Sequence, residues 1–202
     1  LLFDGASWPL KRATQAERRN TRGAMLEKAK PAMAADDTKT ADKFFKQAVS
    51  IPEEFVPWCI QYVRDVPNCR VVVANYEADA QLAKLKADGV IDLVYSAAQD
   101  SDFLVYEGMG DVMYDLRGDG SFKVVNVHKD VLRKTSVGSF NFATWTMPLF
   151  RLWSAACGCD YVENPHNWGA QKLYKLVQDN QGLSEAALVT LIASKASDAT
   201  SY

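Results

Sequence analysis

The sequence predicts an α/β fold with a mostly parallel central sheet flanked by helices. Three observations carry that expectation. Apolar runs at Val71–Ala74 and Ile91–Tyr95 are short and rich in β-branched residues, as buried strands are. Stretches of helix formers separate the apolar runs. Each run is followed by a pair of acids one residue apart, Glu77/Asp79 and Asp100/Asp102. In a parallel sheet the carboxyl ends of the strands converge on one edge, so acids far apart in sequence can meet there. Asp4 after Leu1-Leu2-Phe3 and Asp160 after the apolar segment 153–159 repeat the pattern.

The chain has 202 residues, 48% hydrophobic, with formal net charge −2, enough for one domain with a sizeable core. No apolar run is long enough for a transmembrane helix, so no membrane is expected. Cys59, Cys69, Cys157 and Cys159 include no C-x-x-C and read as reduced thiols of an intracellular protein. Charge is unevenly spread. Seven basic residues face two acidic ones between Lys11 and Lys30, and nine acidic residues face two basic ones between Glu77 and Asp115. A basic arm beside an acidic centre suits a protein that grips a polyanion with one part and holds metal with another.

In order, Leu1–Asp4 is expected to end a strand. Residues 15–33 form a helix with only a weak apolar stripe. Thr40 caps a second helix carrying Phe44, Phe45, Ala48 and Val49. Pro52 opens a third carrying Phe55, Trp58, Cys59, Tyr62 and Val63, with a kink or an interruption at Pro57. Arg70–Ala74 is a buried strand, and Asn75 caps a helix over 77–87 closed by Gly89. Ile91–Ser96 is the next strand. Phe103–Tyr106, Val112–Leu116 and Phe122–Val125 follow as shorter ones, with a hairpin turn at Arg117-Gly118-Asp119-Gly120. Met147–Cys157, Ala170–Val177 and a Ser184-capped segment to Ile192 are helices. Residues 194–202 read as a disordered tail. The tryptophans are expected in the core, with Trp168 placed where it could touch nucleic acid.

Asp4, Glu77, Asp79, Asp100, Asp102 and Asp160 are the candidate metal ligands. So many carboxylates in one place repel unless cations neutralise them, and hard oxygens select Mg²⁺ or Mn²⁺. A zinc site from Cys157, Cys159, His128 and His166 lacks a matched pair of ligand motifs, which leaves buried thiols as the better account.

Leu2-Phe3-Asp4-Gly5, Tyr76-Glu77-Ala78-Asp79-Ala80-Gln81, Gln99-Asp100-Ser101-Asp102 and Gly158-Cys159-Asp160-Tyr161 together resemble, in order and spacing, the motif series of the flap endonuclease, exonuclease 1 and XPG nucleases, with wording closest to exonuclease 1. The resemblance runs from Leu1 to about Val177. It implies a PIN-like (Rossmann-like) nuclease core over 1–150 with a basic helical arch at about 11–50, and a C-terminal helix–two-turn–helix unit over 151–193 that holds duplex. It implies a structure-specific 5′→3′ exonuclease and flap endonuclease, acting on DNA by a two-metal mechanism in repair or replication in the nucleus. RNA is the alternative polymer, and a non-cutting nucleic-acid-binding or assembly scaffold the alternative function. The six acids would surround two Mg²⁺ or Mn²⁺, with Asp4, Glu77 and Asp100 also counted as catalytic. Lys11 and Arg18 would act on the scissile phosphate, Arg12, Arg19 and Arg22 would line the arch, and Trp168, Gly169 and Lys172 would touch the duplex. The family's Gly-Ile-Gly hairpin, which holds K⁺, reads Asn167-Trp168-Gly169 here. The family's first strand, with an acid of its own, is expected upstream of Leu1.

Overall fold

The computed structural model describes residues 1–52, 54–96 and 100–198. Gln99 of the second acid motif lies outside them, as do residues 199–202. The chain divides into two compact units, Leu1–Ala78 and Asp79–Tyr202. The elements alternate as an α/β fold does.

In the first unit, β1 (Leu2–Phe3) pairs in parallel with β2 (Val72–Val73), Leu2 opposite Val72 and Phe3 opposite Val73. Between them run α1 (Arg12–Ala34), α2 (Thr38–Ala48) and α3 (Phe55–Arg64). α1 packs along α2, and the buried residue of each is an alanine, Ala29 and Ala41. Small side chains let two helices approach closely without a wide apolar stripe, which α1 lacks. Asp36 takes a left-handed backbone (φ 59°) to turn the chain, and the Asp37 carboxylate accepts from the Thr40 N–H at 3.1 Å. The cap of α2 is therefore Asp37, one turn before the expected Thr40.

Two further expectations fail in this unit. Pro57 produces no interruption, because it sits in the first turn of α3, where its missing N–H would have had no intrahelical partner. The apolar residues of α3 and β2 are not core: Trp58 is 71% exposed, Tyr62 76%, Val72 45% and Val73 50%. Among the described residues β2 has one partner strand, and a two-stranded pair covers little side-chain surface.

The second unit opens with the remainder of α4 (Ala78–Ala87), closed by Gly89 at φ 70°. β3 (Val94–Tyr95) pairs in parallel with β4 (Val112–Tyr114), which pairs antiparallel with β5 (Lys123–Val125). The turn between β4 and β5 closes as expected at Arg117–Gly120, with the Gly120 N–H on the Arg117 carbonyl at 2.9 Å. Residues 103–106 are not a strand. Ser101–Val105 forms a 3₁₀ helix, because the Asp100 side chain accepts from the Asp102 N–H and starts a turn there. Ala83, Val94, Phe103, Met109, Val112 and Tyr114 make one core.

A wide π turn, Val127–Val131, leads toward α5 (Met147–Ala156), α6 (Ala170–Asp179) and α7 (Glu185–Asp198). The helix expected to stop near Ile192 continues to Asp198, so the first part of the expected disordered tail is helical. Phe142, Trp145, Phe150, Leu173 and Val177 anchor a second core. Phe142 touches Trp145 and Phe150 edge-on at centroid distances of 5.0 and 5.6 Å. Such pairs add about 0.5–1.5 kcal/mol to the burial of the rings. No helix among the described residues is long and apolar enough to cross a membrane.

Candidate functional site

Within the first unit, parallel pairing of β1 and β2 brings the two segments leaving them side by side. The Gly5 N–H donates to the Tyr76 carbonyl at 2.7 Å and the Ala6 N–H to the Asn75 carbonyl at 3.1 Å. Only glycine fits at position 5, since a Cβ there would lie 1.8 Å from the Ala74 carbonyl oxygen. Trp8 then meets Tyr76 edge-to-face at 4.6 Å. The Asp4 carboxylate accepts from the Ala78 N–H at 2.7 Å, taking one of the free donors at the start of α4 that were expected to fall to Asn75. The Lys11 ammonium donates to Glu77 Oε2 at 2.6 Å, with the two side chains only 16% and 18% exposed. Asp4, Lys11 and Glu77 are thus brought into one neighbourhood.

Within the second unit, Asp100 is held through three different atoms. Its N–H donates to the buried Ser96 hydroxyl at 2.9 Å, and its carbonyl accepts from the Tyr114 hydroxyl at 3.0 Å. Its carboxylate accepts from the Asp102 N–H at 2.9 Å. Burial first, and the nearby Asp100 charge second, push the Tyr114 phenol above its ordinary pKa. Asp79 sits in the first turn of α4, where the helix dipole favours its charge. Asp160 follows α5 in a tight turn. Gly158 takes φ 103°, and Cys159 and Val162 exchange backbone hydrogen bonds across Asp160 and Tyr161.

Asp102 lies on the wall of a cleft of about 600 Å³ in the second unit, with Tyr106, Glu107, Arg151 and Tyr161 among the other lining residues. Arg151 donates from Nε to the Val105 carbonyl at 2.9 Å. It was not among the sequence candidates. A single cation inside the otherwise uncharged helix Met147–Ala156 was the signal for it.

The arch candidates lie on or beside α1. Arg12, Arg18 and Arg19 are exposed, and Arg22 is half-buried. In the C-terminal helices, Gly169 caps α6, Trp168 is half-buried, and the Lys172 ammonium donates to the Asn167 carbonyl at 2.8 Å.

Carboxylates of this kind suit a hard divalent ion by donor type, and Glu77 already holds a cation, the Lys11 ammonium. Among the described residues, no three His, Cys, Asp or Glu side chains are gathered into a ready coordination sphere. By donor type, these carboxylates fit a divalent metal.

Residues 68–160 match the XPG I-region family. Exonuclease 1 of Danio rerio is 31% identical over 180 residues, which cover 88% of this chain and 21% of that protein. Exonuclease 1 of Oryza sativa subsp. japonica is 26% identical over 90% of this chain and 21% of the relative. The chain therefore spans about a fifth of the length of these relatives. Among solved structures, flap endonuclease-1 from Methanococcus jannaschii superposes with a TM-score of 0.56 at 22% identity, over 96% of this chain and 59% of that one. The catalytic core of Rad2 in complex with DNA substrate gives 0.58 at 13% identity, over 92% and 48%. These likenesses show a PIN-like α/β nuclease fold.

Proposed function

We propose, because the chain belongs to the 5′ nuclease superfamily of exonuclease 1, the flap endonucleases and XPG, that it acts in hydrolysis of DNA phosphodiester bonds as a structure-specific 5′→3′ exonuclease and flap endonuclease. The observation that carries this reading is the neighbourhood of Asp4, Glu77 and Lys11: two carboxylates at the ends of a parallel strand pair, with a cation beside them.

Asp4, Glu77, Asp79, Asp100, Asp102 and Asp160 would hold two Mg²⁺ or Mn²⁺. When bound, such ions supply an activated water and stabilise the leaving oxygen. Lys11, with Arg18 from the next turns of α1, would neutralise charge developing on the scissile phosphate. The exposed Arg12 and Arg19, with Arg22, would follow the DNA backbone along α1, electrostatically and with little sequence preference. Trp168, Gly169 and Lys172, within a C-terminal duplex-binding unit over 151–193, would hold the double-stranded part. The first 150 residues would form the nuclease core. The same relatives support a role in DNA repair or replication, placed in the nucleus as part of this reading. Flap endonuclease-1 and the DNA-bound Rad2 core support DNA as the polymer.

The test is cleavage of a labelled 5′-flap duplex and a blunt duplex with Mg²⁺, for the wild type and Asp100→Ala. The expected result is Mg²⁺-dependent release of products from the 5′ end, slowed about 100-fold or more by the substitution, as displacement of a reacting group does. Tight DNA binding with no Mg²⁺-dependent cleavage would instead favour a binding or assembly module.

A further inference from the structure

Among the described residues, the Lys11–Glu77 pair differs from the local surface pairs of the helices. Lys30–Glu27, Lys46–Asp42 and Lys84–Asp88 are surface pairs one helical turn apart, with side chains 45–75% exposed. Such pairs contribute little. Lys11 and Glu77 are far apart in sequence, 2.6 Å apart in space, and less than a fifth exposed. A carboxylate this shielded is costly to leave without a counter-charge.

The place of Lys11 is fixed by its backbone. It ends a short 3₁₀ turn, Pro9–Lys11, its N–H donates to the Trp8 carbonyl at 3.0 Å, and Trp8 is seated on Tyr76, next to Glu77. The ammonium reaches Glu77 at the end of a flexible four-carbon stem.

Resting on the metal-dependent reading above, we infer that the Lys11 ammonium is an internal stand-in for the metal at Glu77. It neutralises Glu77 while no divalent ion is present, and is displaced from the carboxylate when one arrives. A divalent ion and an ammonium cannot both take the same oxygen, so the two compete for Glu77. Competition is reciprocal: whatever the ammonium gains at Glu77, the metal must overcome. The displaced ammonium remains tethered beside the metal by the Trp8–Tyr76 contact, where an incoming phosphate oxygen would be its next partner. Arrival of metal and presentation of Lys11 to phosphate thereby become one event.

The experiment is calorimetric titration of Mn²⁺ into the wild type, Lys11→Met and Lys11→Arg, without DNA. Lys11→Met keeps the stem and removes the charge. Its Mn²⁺ affinity should rise about fivefold or more, the lower end of ordinary coupling between two ligands. Lys11→Arg, which keeps a cation at Glu77, should stay near the wild type. An affinity in Lys11→Met equal to or weaker than the wild type's overturns the inference and leaves the metal reading standing. Absence of Mn²⁺ binding in every variant overturns the metal reading and the inference with it. Should Lys11→Met fail to fold, reductively ¹³C-methylated wild type is titrated with Mg²⁺ and the Lys11 resonance is identified by its loss in Lys11→Arg. A shift of that resonance with metal supports displacement, and an unmoved resonance under saturating Mg²⁺ overturns it.

Discussion

The hydroxyl of Tyr114, on β4, donates to the backbone carbonyl of Asp100 at 3.0 Å, tying a candidate metal ligand to the buried sheet of its unit. Tyr114→Phe keeps the ring and removes this bond. It should destabilise the protein by about 1 kcal/mol, the ordinary net value of such a bond. Because the folded-state pKa of Tyr114 lies above the ordinary 10.0, its contribution is complete below pH 10 and is lost as pH rises through the higher folded value. Urea midpoints measured from pH 8 to 11 should therefore fall more steeply for the wild type than for Tyr114→Phe. Parallel curves would show that the phenol does not couple to folding.

Asp4 is predicted to have two separable duties. As the acceptor for the Ala78 N–H it acts like a helix cap, so Asp4→Ala should cost about 1 kcal/mol in chemical denaturation. Asp4→Asn retains an acceptor oxygen and should unfold close to the wild type, yet lose Mn²⁺ affinity because the charge is gone. If the two variants lose stability equally, the Ala78 bond is not what holds the segment.

Gly5→Ala should be harmful although the residue is exposed. The added methyl would meet the carbonyl of Ala74 at 1.8 Å and the carbonyl carbon at 2.8 Å, both backbone atoms that cannot rotate away. Separation of the two segments would cost about 1–3 kcal/mol, as overpacking does elsewhere. Thermal unfolding reads it directly, and an unchanged melting temperature would contradict the close approach.

For the arch, Arg19→Ala and Arg22→Ala should each weaken DNA binding and lower the slope of log affinity against log salt by about one unit. Fluorescence anisotropy of a labelled duplex between 50 and 200 mM salt, as about the useful range, measures both quantities. Binding that weakens with the same salt slope as the wild type would remove these side chains from the phosphate contacts.

Much of this was legible in the sequence because its signals are local. The apolar runs before Glu77 and Asp100 marked strands, and Gly118–Gly120 marked a turn, each from neighbours within a few residues. Part of what was not legible depends on partners far away. That Asp4 rather than Asn75 receives the Ala78 N–H requires two residues 74 positions apart to meet. The 3₁₀ helix at Ser101–Val105 was masked because Phe103-Leu104-Val105 has strand composition, and the Asp100 carboxylate outweighs that preference. Trp58 and Tyr62 carry helical apolar spacing, but spacing says only which side chains share a face and nothing about what covers it. Arg151 was passed over for a different reason: its significance comes from the cleft beside it.

The pairing of β1 with β2 has a consequence for how such a chain can vary. Everything from Asp4 to Arg70 is, topologically, a single excursion whose two ends are pinned by the Leu2–Val72 and Phe3–Val73 pairs and by the Gly5–Tyr76 bond. The entropy of closing an excursion grows only with the logarithm of its length, about 0.6 kcal/mol for each doubling. The α1–α2 hairpin turns back on itself at Asp36 and is capped by Asp37 within the excursion. Turns of helix could be inserted or deleted in matched pairs on either side of Asp36 while Asp4 and Glu77 stay in register. Substrate reach and carboxylate geometry would then be inherited independently, one by the length of a hairpin and the other by two short strands.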